Sequence, residues 1–374
     1  MTHRFRPLLA LCAPLAALGL AAQMPAPAGA QTADRTPGQP FAGTGEIPRG
    51  LALMDPPDLS GARAVETPVV RDLDALGAQA REILDEDALR ARYGTVIRRF
   101  DGTETREPAS DAVMRSLLGE EAPRGIDASE EAQPGPLALP EAGRNVDPTD
   151  PRQQVTNTEG PPFQQNGQLF MDFGDQGFST CSGSLIGPHT VLTAAHCLWS
   201  AENGWPQAVY FAPGAINEQA FPFGVHAAGS MAVLPGYVDF ANDAKVDTTR
   251  FDMAVVTMQE PLGQYLGYMG IATTNELSGF DAHLLHYPGD KPASTMWYSG
   301  CLVAFLDGLV APEVYLHTCR TFGGSSGGNM FAVFGQEGQT AVLGVHVAAV
   351  PDEGPRIAVR VHEPYFNWIS QNWR

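Results

Sequence analysis

Cys181-Ser182-Gly183-Ser184-Leu185-Ile186-Gly187-Pro188-His189-Thr190-Val191-Leu192-Thr193-Ala194-Ala195-His196-Cys197 is the stretch on which the reading of this chain turns. Two short apolar runs flank a Gly-Pro-His turn at 187–189, the pattern of two strands joined by a tight connection. A cysteine stands at each end, and His196 immediately precedes the second. That arrangement pins His196 at the end of a strand with its ring in a fixed direction, as a general base requires.

The ends and the composition set the context for that histidine. Residues 1–30 read as a secretory signal: Arg4 and Arg6, an apolar run over 8–22, then Ala28-Gly29-Ala30 as a small-x-small cleavage site. No later apolar stretch is long enough to span a bilayer, so an exported protein, extracellular or periplasmic, without a membrane partner is expected. Cys12 falls inside the signal, behind a Leu11 too bulky for a lipidation site. Four cysteines remain, Cys181, Cys197, Cys301 and Cys319. An even number in an exported chain favours disulfides. Three pairings are open, and the local ones, 181–197 and 301–319, each close a plausible hairpin. Zinc is the competing reading, but no C-x-x-C pair stands near histidines, so no metal and no cofactor are expected. His226, His283, His286 and His317 are scattered, which suits structural or surface roles. The net charge of −19 leaves no basic footprint for nucleic acid and fits solubility in an extracellular or saline setting.

Two regions differ in composition. Residues 31–144 are rich in Pro, Ala and acids, with loop-like or disordered segments at 32–57 and 122–140. Between these, Leu73, Leu76, Ala80, Ile83, Leu84 and Leu89 fall at helical spacing and predict one or two amphipathic helices over about 69–93. With few aromatics and no cysteine, this region reads as a propeptide, with a linker or targeting arm as the plainer alternative. After Arg144 the aromatics and β-branched residues rise. Strands are predicted at 168–173, 180–186, 191–195, 208–211, 253–258, 283–287, 296–303, 313–317, 330–334, 341–347 and 357–361. Many short strands over 145–374 describe an all-β antiparallel barrel or sandwich. A short helix is expected at 364–373.

Two further stretches bear on His196. Phe251-Asp252-Met253-Ala254-Val255-Val256 sets a carboxylate at the head of an apolar strand, where it is partly buried and able to accept an imidazole Nδ1 proton. Phe322-Gly323-Gly324-Ser325-Ser326-Gly327-Gly328-Asn329 is a glycine-dense turn around two serines, in which backbone N–H groups can converge on a developing oxyanion.

Thr193-Ala194-Ala195-His196-Cys197, then Asp252, then Gly324-Ser325-Ser326-Gly327-Gly328 resembles the chymotrypsin-like serine proteases in order and spacing. Within that family the chain looks most like the bacterial glutamyl endopeptidases. Arg152-Gln153-Gln154-Val155-Thr156-Asn157-Thr158 resembles their segment near the mature N-terminus. Tyr287-Pro288-Gly289-Asp290-Lys291 and Met296-Trp297-Tyr298-Ser299-Gly300 resemble two more of their stretches. The resemblance covers about 145–373 and leaves the first third unmatched.

It implies two antiparallel six-stranded β-barrels with a C-terminal helix, and a serine endopeptidase acting on protein or peptide substrates. Carried over, Ser326 is the nucleophile, His196 the base and acid, Asp252 its orienter, and the N–H groups of Gly324 and Ser326 form the oxyanion hole. Ser325, the rival nucleophile, falls in a slot that usually holds Asp, Asn or Gln. In trypsin-like enzymes an aspartate there pairs with the new N-terminal ammonium, and an uncharged Ser325 cannot. Cleavage after Arg144 would free Asn145, whose amine helps bind an acidic side chain in the resembling enzymes. Thr321 and His346 match their glutamate-binding positions, and Val347 opens a strand that would pair with substrate backbone. Arg320 departs from the family, which often has Asp there. The expectation is a secreted, monomeric zymogen whose other partner is its own propeptide, preferring Glu or Asp before the scissile bond. Another specificity, or a non-catalytic binding protein on the same scaffold, are the alternatives.

Overall fold

The computed structural model describes residues 36–44, 47–48, 51, 57–59, 61–80, 84–120, 137, 149–243, 246–274, 279–304, 311–335, 338–352 and 354–374. The expected signal (1–30), Arg144 and Asn145 lie outside them.

In chain order the N-terminal third supplies β1 (Arg63–Ala64), α1 (Leu73–Ala80), α2 (Glu86–Arg92), β2 (Thr95–Arg99), β3 (Glu104–Glu107) and α3 (Asp111–Leu117). Asp85 and Ser110 open α2 and α3 by accepting the Ala88 and Val113 N–H groups. Next come β4 (Gln153–Val155), β5 (Asn166–Asp172), β6 (Phe178–Leu185), β7 (Thr190–Thr193), β8 (Ala208–Pro213), β9 (His226–Val233), α4 (Pro235–Val238), β10 (Ala254–Met258) and α5 (Leu262–Leu266). The remainder holds β11 (Gly270–Ile271), β12 (Gly279–His286), β13 (Met296–Ala304), β14 (Val314–His317), β15 (Asn329–Phe334), β16 (Gln339–Ala349), β17 (Arg356–Arg360) and α6 (Glu363–Asn372).

Two closed antiparallel barrels of six strands result. The first runs β10-β7-β6-β5-β8-β9 and closes where β9 meets β10, at Ala254↔Val233. The second runs β16-β15-β12-β13-β14-β17 and closes where β17 meets β16, at Val345↔Val359. Closure removes the unpaired edges that an open sheet of such short strands would expose. Leu169, Met171, Leu185, Val191, Phe211, Met231 and Val255 are buried on the first barrel's strands. Leu284, Met330, Leu343 and Ala358 pack with Tyr315 in the second. Truncating one such leucine to alanine typically costs about 2–5 kcal/mol. Within the 152–158 stretch, residues 153–155 form β4, which pairs with β13.

Residues 63–80 and 84–117 are docked on this scaffold. β2 pairs with β9 and carries β3 outside it. Val96, Val113 and Met114 are buried, and Trp368 of α6 donates its indole N–H to the Gly94 carbonyl at 3.0 Å. Tyr93 donates its hydroxyl to Glu313 at 2.6 Å. α1 and α2 fall within the 69–93 stretch, whereas β2, β3 and α3 lie beyond what helical spacing indicated. Disulfides join Cys181 to Cys197 and Cys301 to Cys319.

Candidate active site

His196 sits in a single tight turn, Ala195–Cys197, directly after β7. The disulfide fixes the end of that turn to β6. Asp252 ends a second tight turn, Thr249–Phe251, just before β10. Because β10 pairs with β7, with Ala254 opposite Thr193, the two side chains meet at the same end of the first barrel. Asp252 Oδ2 lies 2.6 Å from His196 Nδ1, and Oδ1 accepts the His196 backbone N–H at 2.9 Å. Both side chains are buried. A carboxylate holding backbone and ring together sets the ring plane and reserves the Nδ1 proton, leaving Nε2 to face outward chemistry.

Ser326 stands in the glycine turn between β14 and β15. Gly324 and Gly327 take φ of +87° and +80°, a region that L side chains seldom adopt. At Gly327 a Cβ would strike Thr193 Oγ1 and the Ser182 carbonyl, so the turn packs directly on the histidine-bearing hairpin. Ser182, beside Cys181, ties the two parts together. Its N–H donates to the Ser326 carbonyl at 2.8 Å, and its hydroxyl donates to the Gly324 carbonyl at 2.9 Å. Among the described residues neither Ser326 Oγ nor His196 Nε2 has a hydrogen-bond partner, so the serine–histidine link is open here. Such links are often long in free enzymes and tighten with substrate.

Ser325 is also fully buried, but its hydroxyl is engaged elsewhere. The hydroxyl is hydrogen-bonded to His286 Nδ1 at 2.7 Å and accepts the Phe322 N–H at 3.0 Å. Burial, reinforced by the Arg152 guanidinium, drives His286 well below its usual pKa, so its ring is neutral. Sequence reading assigned His286 no such part. The alternation of β12, with Leu284 and His286 two apart, is the signal that turns it toward the core.

The expected specificity residues lie nearby. Thr321 and His346 are buried, and His346 exchanges backbone hydrogen bonds with Gly327 and Gly328 at 2.9 Å each. His346 Nδ1 lies 3.1 Å from Nε2 of His317, a residue read from the sequence as standing alone. Burial lowers His346 well below its usual pKa, with His317 and Arg356 adding to the effect, and lowers His317 to about 3. Arg320 is exposed and lines a cavity of about 270 Å³ with His317 and Arg356. Val347 is buried on β16, two residues before Ala349, which is paired with Val69 of the N-terminal third. Arg152, from the stretch like the family's mature N-terminus, is buried between Asp150 and Asp290.

Among the described residues, Cys181–His196–Cys197 and Cys301–His317–Cys319 bring metal-ligand types together. In both groups the sulfurs are joined as disulfides, and a bonded sulfur is not the thiolate that a metal takes. Each group thus offers a single imidazole.

Residues 181–345 match the family described as the trypsin-like peptidase domain. Over 323 residues the chain is 26% identical to a glutamyl endopeptidase of Bacillus licheniformis, covering 82% of this chain and 89% of that one. It is 27% identical over 230 residues to a protein of Bacillus subtilis strain 168 named extracellular metalloprotease, 60% of this chain and 68% of that one. The solved structure of a Glu endopeptidase in complex with MPD superposes with a TM-score of 0.50 at 25% identity, covering 60% of this chain and 96% of that one.

Proposed function

From the premise that this chain is a serine endopeptidase of the trypsin-like fold, related to the bacterial glutamyl endopeptidases, we propose that Ser326, His196 and Asp252 cleave peptide bonds through an acyl-enzyme. The single observation that carries this reading is the two-point grip of Asp252 on His196, 2.6 Å to Nδ1 and 2.9 Å to the backbone N–H, beside the Ser326 turn. Ser326 attacks the scissile carbonyl as His196 Nε2 takes its proton, and His196 then delivers that proton to the leaving amine. Asp252 stabilises the imidazolium between the two steps. The N–H groups of Gly324 and Ser326 receive the oxyanion, and losing one such donor typically costs about 10² to 10³ in rate.

In the same reading the preferred residue before the scissile bond is Glu, with Asp second. A buried hydroxyl and imidazole at Thr321 and His346 are suited to a carboxylate, and Arg356, which bears on both His346 and His317, makes the surroundings favourable to an anion. Residues N-terminal to the scissile bond lie along 347–349, and the leaving side lies toward His196 and β6. Residues 1–30 direct export and 31–144 form a propeptide cut after Arg144, freeing Asn145 for the acidic side chain. A panel of chromogenic peptides differing only at the residue before the bond tests the preference. Glu favoured at least 10-fold over Ala, Leu, Lys and Phe supports it, and a flat or basic profile sinks it.

A further inference from the structure

The backbone of 63–70 passes directly over the Ser326 turn. At one end β1 adds to β6 with Arg63 opposite Ser179 and Ala64 opposite Thr180, and Val65 donates its N–H to the Thr180 carbonyl at 3.0 Å. In the middle the Val65 carbonyl accepts the Gly324 N–H at 2.8 Å. At the other end the Pro68 carbonyl accepts the Ala349 N–H, and Val70 donates to the Ala349 carbonyl, both at 2.9 Å. A Cβ on Gly323 would lie 3.0 Å from the Val65 oxygen, and one on Gly324 3.1 Å from Ala64 Cβ, so the glycines let the segment sit down on the turn. Beneath it Ser326 has no exposed surface.

Both ends of this segment pair in parallel, with β6 and with Ala349. We propose that 63–70 is an inhibitory strap lying through the substrate cleft with its backbone reversed relative to a substrate, an inference that rests on the triad reading above. A substrate places its acyl side along 347–349 and its leaving side by β6. The strap places 63–64 by β6 and 68–70 on Ala349. Attack on the Val65 carbonyl would make the Glu66 nitrogen the leaving group on the specificity side, away from His196 Nε2. The strap therefore fills the cleft and the Gly324 donor without offering a bond that the machinery can cut. Glu66–Thr67, a bond of the preferred type, survives for the same reason. The docked β2, β3 and α3 unit anchors the C-terminal flank, which holds the strap at high effective concentration.

Ala64→Trp cannot fit over Gly289 and Gly324, and Val70→Pro removes the donor to Ala349. The full chain and these two full-length variants are compared by the rate of labelling with a serine-directed fluorophosphonate, and by amide exchange over 322–326 and 347–350. Loss of the one Val70 hydrogen bond raises the labelling rate by roughly 2- to 12-fold, and the steric misfit of Ala64→Trp raises it at least as much, with faster exchange at both segments. Equal labelling and unchanged exchange in two folded variants overturn the strap, and self-cleavage of the full chain after Glu66 overturns its reversed polarity. If no form labels, including one cut after Arg144, the nucleophile assignment fails, while the exchange result still decides the strap.

Discussion

His317 Nε2 and His346 Nδ1 stand 3.1 Å apart with both rings buried, so one ring's N–H is committed to the other and His346 Nε2 is left without a partner among the described residues. A buried polar atom with nothing to bond is a standing cost that an incoming carboxylate relieves. His346→Ala is expected to lower kcat/KM for Glu peptides by roughly 10- to 150-fold, the range of a hydrogen bond to a charged group. Peptides with Ala before the scissile bond change far less. Steady-state kinetics on the matched pair checks this; equal losses on both would remove His346 from the specificity pocket.

The same pair makes stability depend on pH. His317 is held down to about 3, below the ordinary histidine value near 6.5, so the unfolded chain binds a proton in that interval while the folded chain does not. Its contribution is complete above about 6.5 and is lost as pH falls through the interval toward 3. Burial depresses His286 and His346 in the same direction. Stability should therefore fall from pH 7 to pH 5 by up to about 1.4 kcal/mol per pH unit for each such histidine. Urea titrations at pH 7, 6 and 5 measure this slope. His317→Gln should flatten it, and a slope unchanged by that substitution would contradict the assignment.

Asp252 grips both the ring and the backbone of His196, so Asp252→Asn should preserve the fold and lose the tautomer. The expected fall in kcat is about 10⁴-fold with a small change in KM. A fall below about 10-fold would mean that Asp252 does not orient the base.

Ser325 links Phe322 N–H to His286 Nδ1, and so holds the loop that carries Gly324. Ser325→Ala leaves the buried His286 Nδ1 and the part-buried Phe322 N–H without that partner, at about 1–3 kcal/mol of stability. Activity should drop while Ser326 still reacts with a fluorophosphonate. Thermal unfolding and labelling read the two effects separately, and full stability with full activity would deny the link.

The Cys181–Cys197 bond closes a short loop around the histidine hairpin. Replacing both cysteines with alanine should cost about 3 kcal/mol by the chain-entropy account and lower kcat, because His196 adjoins the bond. Chemical denaturation and kinetics on the double variant test this pair of losses.

Much of the site was legible because its pieces are local. Ala195-His196-Cys197, Phe251-Asp252 and Gly324–Gly328 each carry their chemistry within a few residues, and the apolar alternation around them marks strands. What escaped is long-range or compositionally weak. β9 reads His226-Ala-Ala-Gly-Ser-Met-Ala-Val233, almost without β-branched residues, and becomes a strand only because β8, β10 and β2 pair with it. β3 reads Glu-Thr-Arg-Glu and is exposed throughout, with no buried face to reveal it. His286 meets Ser325 39 residues away and His317 meets His346 29 residues away, distances over which periodicity carries no information. The pairing of Val65 with Gly324 spans the whole fold, and a Pro- and acid-rich composition hides it.

Which hydroxyl reacts decides the mechanism most directly. The processed protein, treated with a fluorophosphonate and mapped by mass spectrometry, should carry one adduct, on Ser326, lost in Ser326→Ala and kept in Ser325→Ala. An adduct on Ser325, or none on a correctly folded and processed chain, would contradict it.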